Sequence, residues 1–301
     1  MGERSEARAL LEQAASLFGE LAHVQPRVFE PYLAGTLHNL GLLLGEMGAK
    51  DAARAALQRA VALRRQLAQL EPAAENPHLA RTLGSLSVLL RELGDHDGAR
   101  VAAQESLTLC RALAQTDPAA FEPHVAEALA SLGPALAELG DPAEARACLE
   151  EATDIRRKLA NAMPSAYEPG LGYALLSLGT ACIRMGDRSS ARAAYEEAAS
   201  LFRKLAQAEP VAFSPGLASA LSNLGTVLGE LGKAPAARSA LDEALSICLG
   251  LARAEPRVFL NKLEALAHNC MIFLRLIRGD LSSWPNLRAA VETIDKLKGH
   301  G

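Results

Sequence analysis

The 301-residue chain has few aromatic residues and little excess charge. Trp, Tyr and Phe together make up 4% of it, and 31 Lys and Arg stand against 35 Asp and Glu, a balance that does not indicate a nucleic-acid-binding protein. No run approaches the ~18 consecutive apolar residues of a membrane span, and the first residues lack the apolar core of an export signal. Five Cys without a Cys-x-x-Cys pair fit a reducing compartment better than a disulfide framework. We therefore expect a cytoplasmic protein that binds neither nucleic acid nor membrane.

Motifs of the common enzyme classes are also missing. The sequence has no GxxxxGK[ST], no GxGxxG after a strand, no HExxH and no GxSxG. The His and Cys residues are scattered, and none has the spacing of a zinc site. His78 and His124 share one position after a proline, where we expect two solvated side chains rather than a metal pair. The sequence thus predicts a non-catalytic protein with no cofactor and no metal.

A period of 46 residues organises the chain. It is shared by two series of prolines, one of glycines and one of arginines, and a period of 20–50 residues is typical of solenoids, propellers and arrays. The series are Pro31, Pro77, Pro123, Pro169 and Pro215; Pro26, Pro72, Pro118, Pro164, Pro210 and Pro256; Gly48, Gly94, Gly140, Gly186 and Gly232; and Arg8, Arg54, Arg100, Arg146, Arg192 and Arg238. We expect each arginine to pair with an acid of its own or the next unit, although a basic stripe is the alternative.

Each unit is predicted to be a helical hairpin. In the unit from Phe121 to Pro164, apolar residues three and four apart predict a first helix with Pro123 near its start, and Gly140 is placed to stop it. Asp141-Pro142 is typical of the start of a second helix, which Pro164 is expected to end before a short Pro-bounded link. Pro134 is expected to kink the first helix. No alternating β-branched run occurs, so we expect almost no strand.

Small residues recur at matched positions inside these helices. The first helices carry Gly41, Ser87, Gly133, Gly179 and Gly225, and the second helices carry Ala53, Ala99, Ala145, Ala191 and Ala237. Glycine inside a helix costs roughly 1 kcal/mol against Ala. It is tolerated where the backbone of a neighbouring helix must come close, so this pattern predicts tightly packed hairpins.

The order of small and large positions resembles the tetratricopeptide repeat. A Leu-Gly pair in the first helix is followed by Ala, then a large residue four later, then a second Ala three later. The matching sets are Leu40-Gly41 with Ala53, Leu57 and Ala60; Leu178-Gly179 with Ala191, Tyr195 and Ala198; and Leu224-Gly225 with Ala237, Leu241 and Ala244. The longer unit is similar to the extended repeats of kinesin light chains and of bacterial arrays attached to signalling ATPases or caspase-like proteases. HEAT repeats have a similar length but fit this pattern less well.

The resemblance implies an all-α fold, a right-handed α-solenoid of antiparallel helical hairpins. We expect a single solenoid over residues 1–301. Its parts are a half repeat at 3–26, full repeats at 27–72, 73–118, 119–164, 165–210 and 211–256, and a degenerate repeat with a capping helix at 257–298. In that cap, Trp284 is expected to be a packing plug rather than a ligand platform.

The resemblance also implies a binding groove lined by the first helices, which in such arrays commonly holds an extended peptide. The residue before the Leu-Gly pair is Asn39, Asn223 or Asn269 in three units, and an Asn there resembles a clamp on the ligand backbone because its amide both donates and accepts. Ser85, Ser131 and Ser177 occupy this position in the central units and carry the role weakly. Other residues expected on this face include His38, Arg81, Arg91, Tyr173, Arg184, Thr226 and Glu230.

We therefore predict a scaffold that binds a peptide or a partner domain in the concave groove. One alternative is the sensor arm of a larger signalling or defence protein. Another is a structural module that associates with itself, because residues 3–25 align with a second helix and would leave an apolar edge at Leu10, Leu11 and Leu17.

Overall fold

The computed structural model describes residues 2–277 and 279–298. Over this part of the chain thirteen α-helices follow one another, a 3-10 turn at Leu281–Ser283 precedes the last, and there is no strand. The helices are α1 (Gly2–Val24), α2 (Pro26–Glu46), α3 (Lys50–Leu70), α4 (Pro72–Glu92), α5 (His96–Thr116), α6 (Pro118–Leu139), α7 (Pro142–Ala162), α8 (Pro164–Arg184), α9 (Arg188–Ala208), α10 (Pro210–Glu230), α11 (Ala234–Ala254), α12 (Pro256–Leu276) and α13 (Pro285–Lys298). We call the even-numbered helices α2 to α12 the first helices of their hairpins and the odd-numbered ones the second helices.

Every first helix begins at a proline of the Pro26 series. Proline suits the first helical position, where a backbone N–H has no partner inside the helix. The prediction for residues 121–164 was therefore wrong in register: Pro164 begins α8, and Pro123 lies inside α6 rather than near its start. The links between hairpins are single residues such as Asp117 and Met163, shorter than the predicted Pro-bounded link.

A left-handed glycine follows each of the first helices α2, α4, α6, α8 and α10, as predicted. Gly48, Gly94, Gly140, Gly186 and Gly232 have φ between 72° and 90°. Residues with a Cβ are strained in this region, so glycine lets the chain turn sharply into the second helix. Pro134 does not end α6, which continues to Leu139.

The described chain divides into two compact units. In the first, residues 1–155, helices α1 to α6 pack each on the next, and α4 also contacts the first helices on either side of it, α2 and α6. Fully buried side chains fill its interior: Leu57, Leu83, Leu129, Leu136 and Leu149.

The second unit comprises residues 156–301 and repeats this arrangement with α8 to α12. At its end, α13 packs on α11 and α12. Trp284 is buried there, its indole N–H donates to Asp242 Oδ1 at 2.6 Å, and the Arg238 guanidinium lies 5.4 Å from its ring centre. The prediction that Trp284 is a packing plug is confirmed.

The mid-helix glycines fit large residues of the paired second helix. A Cβ added to Gly41 would lie 2.6 Å from Leu57 Cγ, and one added to Gly179 would lie 2.5 Å from Tyr195 Cε1. Ser87 instead donates to the Ala99 carbonyl at 2.8 Å, in the hairpin where the sixteenth following residue is Ala103 rather than Leu or Tyr. The predicted close approach of the neighbouring backbone is also present, since the Ala53 carbonyl oxygen would lie 3.3 Å from the Cβ added to Gly41.

Helix α10 is long and apolar enough to cross a membrane by length and composition, with a mean hydropathy of 1.3 over its most apolar stretch. Half of that stretch is buried within the fold. The polar Ser222 and Asn223 interrupt its apolar residues. Because the core helix of a soluble protein meets the same criterion, this composition is weak evidence for a membrane segment.

Candidate peptide-binding face

The structure places the predicted clamp positions on neighbouring first helices. In the first unit Asn39, Ser85 and Ser131 lie on α2, α4 and α6, which contact one another in sequence; in the second unit Ser177, Asn223 and Asn269 lie on α8, α10 and α12. Asn39 and Asn269 are exposed and Asn223 is half-buried. Among the described residues, none of these three amides has a hydrogen-bond partner in the protein. They remain available to a ligand.

The serines at the same position differ in their hydrogen bonding. The hydroxyls of Ser85, Ser131 and Ser177 each donate to the carbonyl four residues earlier, at 3.1–3.2 Å. A hydroxyl bonded to its own helix has less capacity for a ligand. This is a physical reason for the weaker role that the sequence predicts for these residues.

Most of the other predicted residues lie at the surface, with one exception. Arg81, Tyr173, Arg184 and Thr226 are exposed and Arg91 is half-buried, while Glu230 is exposed but accepts from Arg188 Nε at 2.6 Å. His38 is buried, so its placement on an open face was wrong. It shares the buried side of α2 with Ala34 and Gly41, which the helical period brings into line.

His38 belongs to a cluster of charged and polar residues between α2, α3 and α4. Arg64 of α3 donates to Glu75 of α4 at 2.9 Å, and both residues are buried. Burial, followed by the positive charges of Arg81 and Arg64 and by His78, lowers the pKa of His38 to about 4. His38 is therefore neutral near pH 7.

At the repeat position of Glu75, all the other first helices have an aromatic residue. At steps of 46 residues Glu75 corresponds to Phe29, Phe121, Tyr167, Phe213 and Phe259. The Arg64 position is more variable and holds Phe18, Cys110, Arg156, Phe202 and Cys248 in the other second helices. This cluster was not predicted from the sequence, although the sequence does show one Glu at a repeat position that is otherwise occupied by Phe or Tyr.

The repeat pattern of these helices agrees with the comparison to known families. Tetratricopeptide-repeat families match residues 33–73, 79–119, 125–162 and 217–249, and also 173–205. The chain belongs to the tetratricopeptide repeat (TPR) family. TPR repeats generally mediate protein–protein interactions and are typically non-catalytic.

Solved TPR structures share the fold at low sequence identity. BtubC (BKLC) from P. vanneervenii is 18% identical, with a TM-score of 0.64 over 81% of this chain and 90% of that one. A structure of nearly identical TPR-like repeats of a Podosopora anserina kinesin light chain is 18% identical, with a TM-score of 0.55 over 72% and 95%. The apo form of RapI is 13% identical, with a TM-score of 0.56 over 88% and 84%. No curated protein matches the chain.

The predicted edge on α1 is only partly exposed in this TPR protein. Leu10 and Leu17 are 60% and 53% exposed. Leu11 is half-buried and packs against the hydrophobic core of the first unit, so its assignment to the edge was wrong. Leu11 thus contributes to the packing of α1 on the rest of the first unit, whereas Leu10 and Leu17 are exposed to solvent.

Ion pairs connect the TPR hairpins along their second helices. The predicted series Arg8 to Arg238 mainly pairs within its own helix, as in Arg8–Glu12 at 2.8 Å and Arg192–Glu196 at 2.7 Å. A second series, not identified from the sequence, joins consecutive second helices from α3 to α11 across 40 residues. Its pairs are Arg65–Glu105, Arg111–Glu151, Arg157–Glu197 and Arg203–Glu243.

Two surface cavities of the first unit are lined by residues other than the predicted clamp residues. One of about 500 Å³ is lined by Val61, Leu86 and Val101 of α3, α4 and α5, and another of about 460 Å³ lies between α1, α2 and α3. In the part of the chain that the structure describes, no group of three His, Cys, Asp or Glu residues is placed to hold a metal ion. The chemistry of the clamp face is therefore that of exposed amide, hydroxyl and guanidinium groups.

Proposed function

We propose that the chain is a cytoplasmic interaction scaffold that holds an extended peptide along the first helices of its TPR hairpins. The observation that carries the proposal is one exposed amide in each unit, at Asn39 in the first and at Asn269 in the second; both occupy the same repeat position and have no partner among the described residues. An amide can donate to a carbonyl and accept from an N–H, so it recognises a peptide backbone whatever its side chains are.

Selection from a library of random peptides displayed on phage, followed by fluorescence anisotropy with the selected peptides, tests this proposal. We expect Asn39→Ala or Asn269→Ala to weaken binding about three- to tenfold, since one hydrogen bond contributes about 0.5–1.5 kcal/mol. Asn261→Ala is the matched control, because Asn261 is exposed on the same helix as Asn269 but at another repeat position. Failure to select any peptide, or equal binding by all variants, would contradict the proposal.

Self-association through α1 is a second candidate function, favoured by the exposure of Leu10 and Leu17. The residues 46 positions later, Ala56 and Leu63, are buried and half-buried. An apolar strip that is covered in one hairpin and open in another is suited to a partner surface.

Light scattering over a concentration series tests the second candidate. If α1 forms the contact, the mass of the wild type increases with concentration and Leu10→Glu with Leu17→Glu gives a monomer. Val211→Glu is the matched control, since Val211 is an exposed apolar residue of α10. A wild-type monomer at every concentration would exclude self-association.

A further inference from the structure

The ion pair that joins consecutive second helices is missing between α1 and α3. From α3 to α11, an arginine of one second helix meets a glutamate 40 residues later on the next, as in Arg65–Glu105, where Nε lies 2.9 Å from Oε1. The corresponding positions on α1 and α3, 46 residues earlier, hold Gly19 and Arg59. The position of the arginine thus has no side chain, and the position of the carboxylate carries a guanidinium.

A cavity of about 460 Å³ lies at this place, and both Gly19 and Arg59 line it. No packed neighbour lies within 4 Å of a Cβ added to Gly19. This glycine therefore differs from Gly41, whose added Cβ would lie 2.6 Å from Leu57 Cγ. It leaves open space in the cavity rather than room for a neighbouring side chain. The volume is within the range of about 300–1,000 Å³ that is typical of sites for small molecules.

Two opposite charges that line this cavity have no partner in the protein. Arg59 and Glu20 are exposed, and neither makes an ion pair or a hydrogen bond among the described residues. The carboxylate of Glu12 also lines the cavity, but it accepts a hydrogen bond from Arg8 Nε at 2.8 Å. One cation and one anion are thus available in the same cavity, which suits a ligand that carries both charges.

Part of the cavity lining is apolar. It is formed by Ala15 of α1 and by Leu37 and Leu40 of α2, three residues that are otherwise buried in the fold. Covering the part of their surface that still faces the cavity is favourable, because apolar surface is then removed from water. A ligand that matches the whole cavity therefore combines two opposite charges with an apolar group.

The equivalent cavity one hairpin later shows that the free charges are specific to the first cavity. It has a volume of about 500 Å³ and is lined by Val61 and Arg65, which lie 46 positions after Ala15 and Gly19. There the guanidinium of Arg65 donates two hydrogen bonds to Glu105 and is not available to a ligand. The unpaired cation is therefore a property of the cavity between α1, α2 and α3 and not of the repeated fold.

We propose that this cavity binds a free α-amino acid with an apolar side chain. The Arg59 guanidinium binds the carboxylate through two parallel hydrogen bonds, and Glu20 accepts from the ammonium group. The side chain of the ligand covers Leu37 and Leu40. A simple carboxylate would be repelled by Glu12 and Glu20, and a simple amine by Arg59, so a zwitterion matches the charges best. The proposal is independent of peptide binding, because no clamp residue lines the cavity.

Isothermal titration calorimetry with L-leucine, L-methionine and L-phenylalanine tests the chemistry of the ligand. At least one of them should bind, and analogues of it that lack the ammonium or the carboxylate should bind at least about tenfold more weakly. For leucine these analogues are 4-methylpentanoate and 3-methylbutylamine. Absence of binding by all three amino acids at millimolar concentrations would overturn the proposal. Binding of either analogue as tight as that of its amino acid would also overturn it, because the zwitterion would not be recognised.

Variants of the protein test the position of the site. Gly19→Arg with Arg59→Glu installs the residues that form the ion pair between later second helices, so we expect this double variant to fold, by circular dichroism, and to lose amino-acid binding. Arg59→Gln alone should weaken binding at least about tenfold. Arg257→Gln, at an exposed arginine of α12 with no ion pair among the described residues, is the matched control and should bind as the wild type does. Undiminished binding by the double variant would place the ligand elsewhere and overturn the site.

Discussion

At the scale of single residues, the burial of His38 connects the stability of the fold to pH. Its pKa is about 4 in the folded chain, against an ordinary value of 6.5. Between these values the unfolded chain binds more protons than the folded one, so stability falls as the pH is lowered from 7 to 4. Because one pKa unit corresponds to about 1.4 kcal/mol, this group should cost the fold about 3 kcal/mol at pH 4.

Urea unfolding of the wild type and of His38→Leu at several pH values tests this expectation. The wild type should lose about 3 kcal/mol more than the variant between pH 7 and pH 4. Arg81, Arg64 and His78, the groups that also lower the pKa of His38, remain in both proteins. His23→Gln, at an exposed histidine of α1, should keep the wild-type slope. Parallel pH profiles for wild type and His38→Leu would contradict the argument.

The sequence predicted which residues occupy equivalent repeat positions better than it predicted which side chains are exposed to solvent. Asn39 and His38 are adjacent and both were expected on one face, but successive helical residues point about 100° apart, and only Asn39 is exposed. The Arg64–Glu75 pair could not be inferred from either residue alone. It depends on which side of α3 meets α4, which is a property of the packing.

At the scale of helices, the hairpins are held by matched sizes across each pair. A Cβ on Gly225 would lie 2.6 Å from Leu241 Cγ, whereas the second hairpin combines Ser87 with Ala103 at these positions. Either single change at the Gly225–Leu241 contact should therefore be harmful, and the two together should compensate.

Denaturant unfolding of the variants tests this match. We expect Gly225→Ser to cost about 1–3 kcal/mol through overpacking and Leu241→Ala about 2–5 kcal/mol through a cavity. The double variant should be more stable than the sum predicts, because the serine side chain occupies space that leucine leaves. Gly250→Ala on α11 is the control, since no packed neighbour lies within 4 Å of its added Cβ, and it should be neutral or stabilising. Strict additivity would show that the two positions are independent.

Helix boundaries were harder to predict than the hairpins themselves. Proline is compatible both with the first position of a helix and with the residue that follows one, so Pro164 alone could not distinguish the end of α7 from the start of α8. The pairs between second helices were missed for a related reason. A separation of 40 residues, as in Arg157–Glu197, has meaning only when the adjacent faces are known.

At the scale of the whole molecule, the 46-residue period predicted the type of structure, an all-α array of helical hairpins in which each unit packs on the next. Stability in such an array is approximately a sum of local terms, and a terminal helix has fewer of them. The partner of the clamp face was not predictable, because exposed positions are free to vary whether or not they bind.

The single tryptophan of the sequence makes this local stability measurable. Trp284 lies beside α13, so its fluorescence reports the end of the second unit, whereas circular dichroism reports all helices. We expect the fluorescence transition in urea to precede the dichroism transition. Leu287→Ala, at a fully buried residue of α13, should lower the fluorescence midpoint most, and Leu57→Ala in the first unit should shift the dichroism midpoint while leaving fluorescence almost unchanged. Coincident transitions in all three proteins would instead mean that the chain unfolds as one cooperative body.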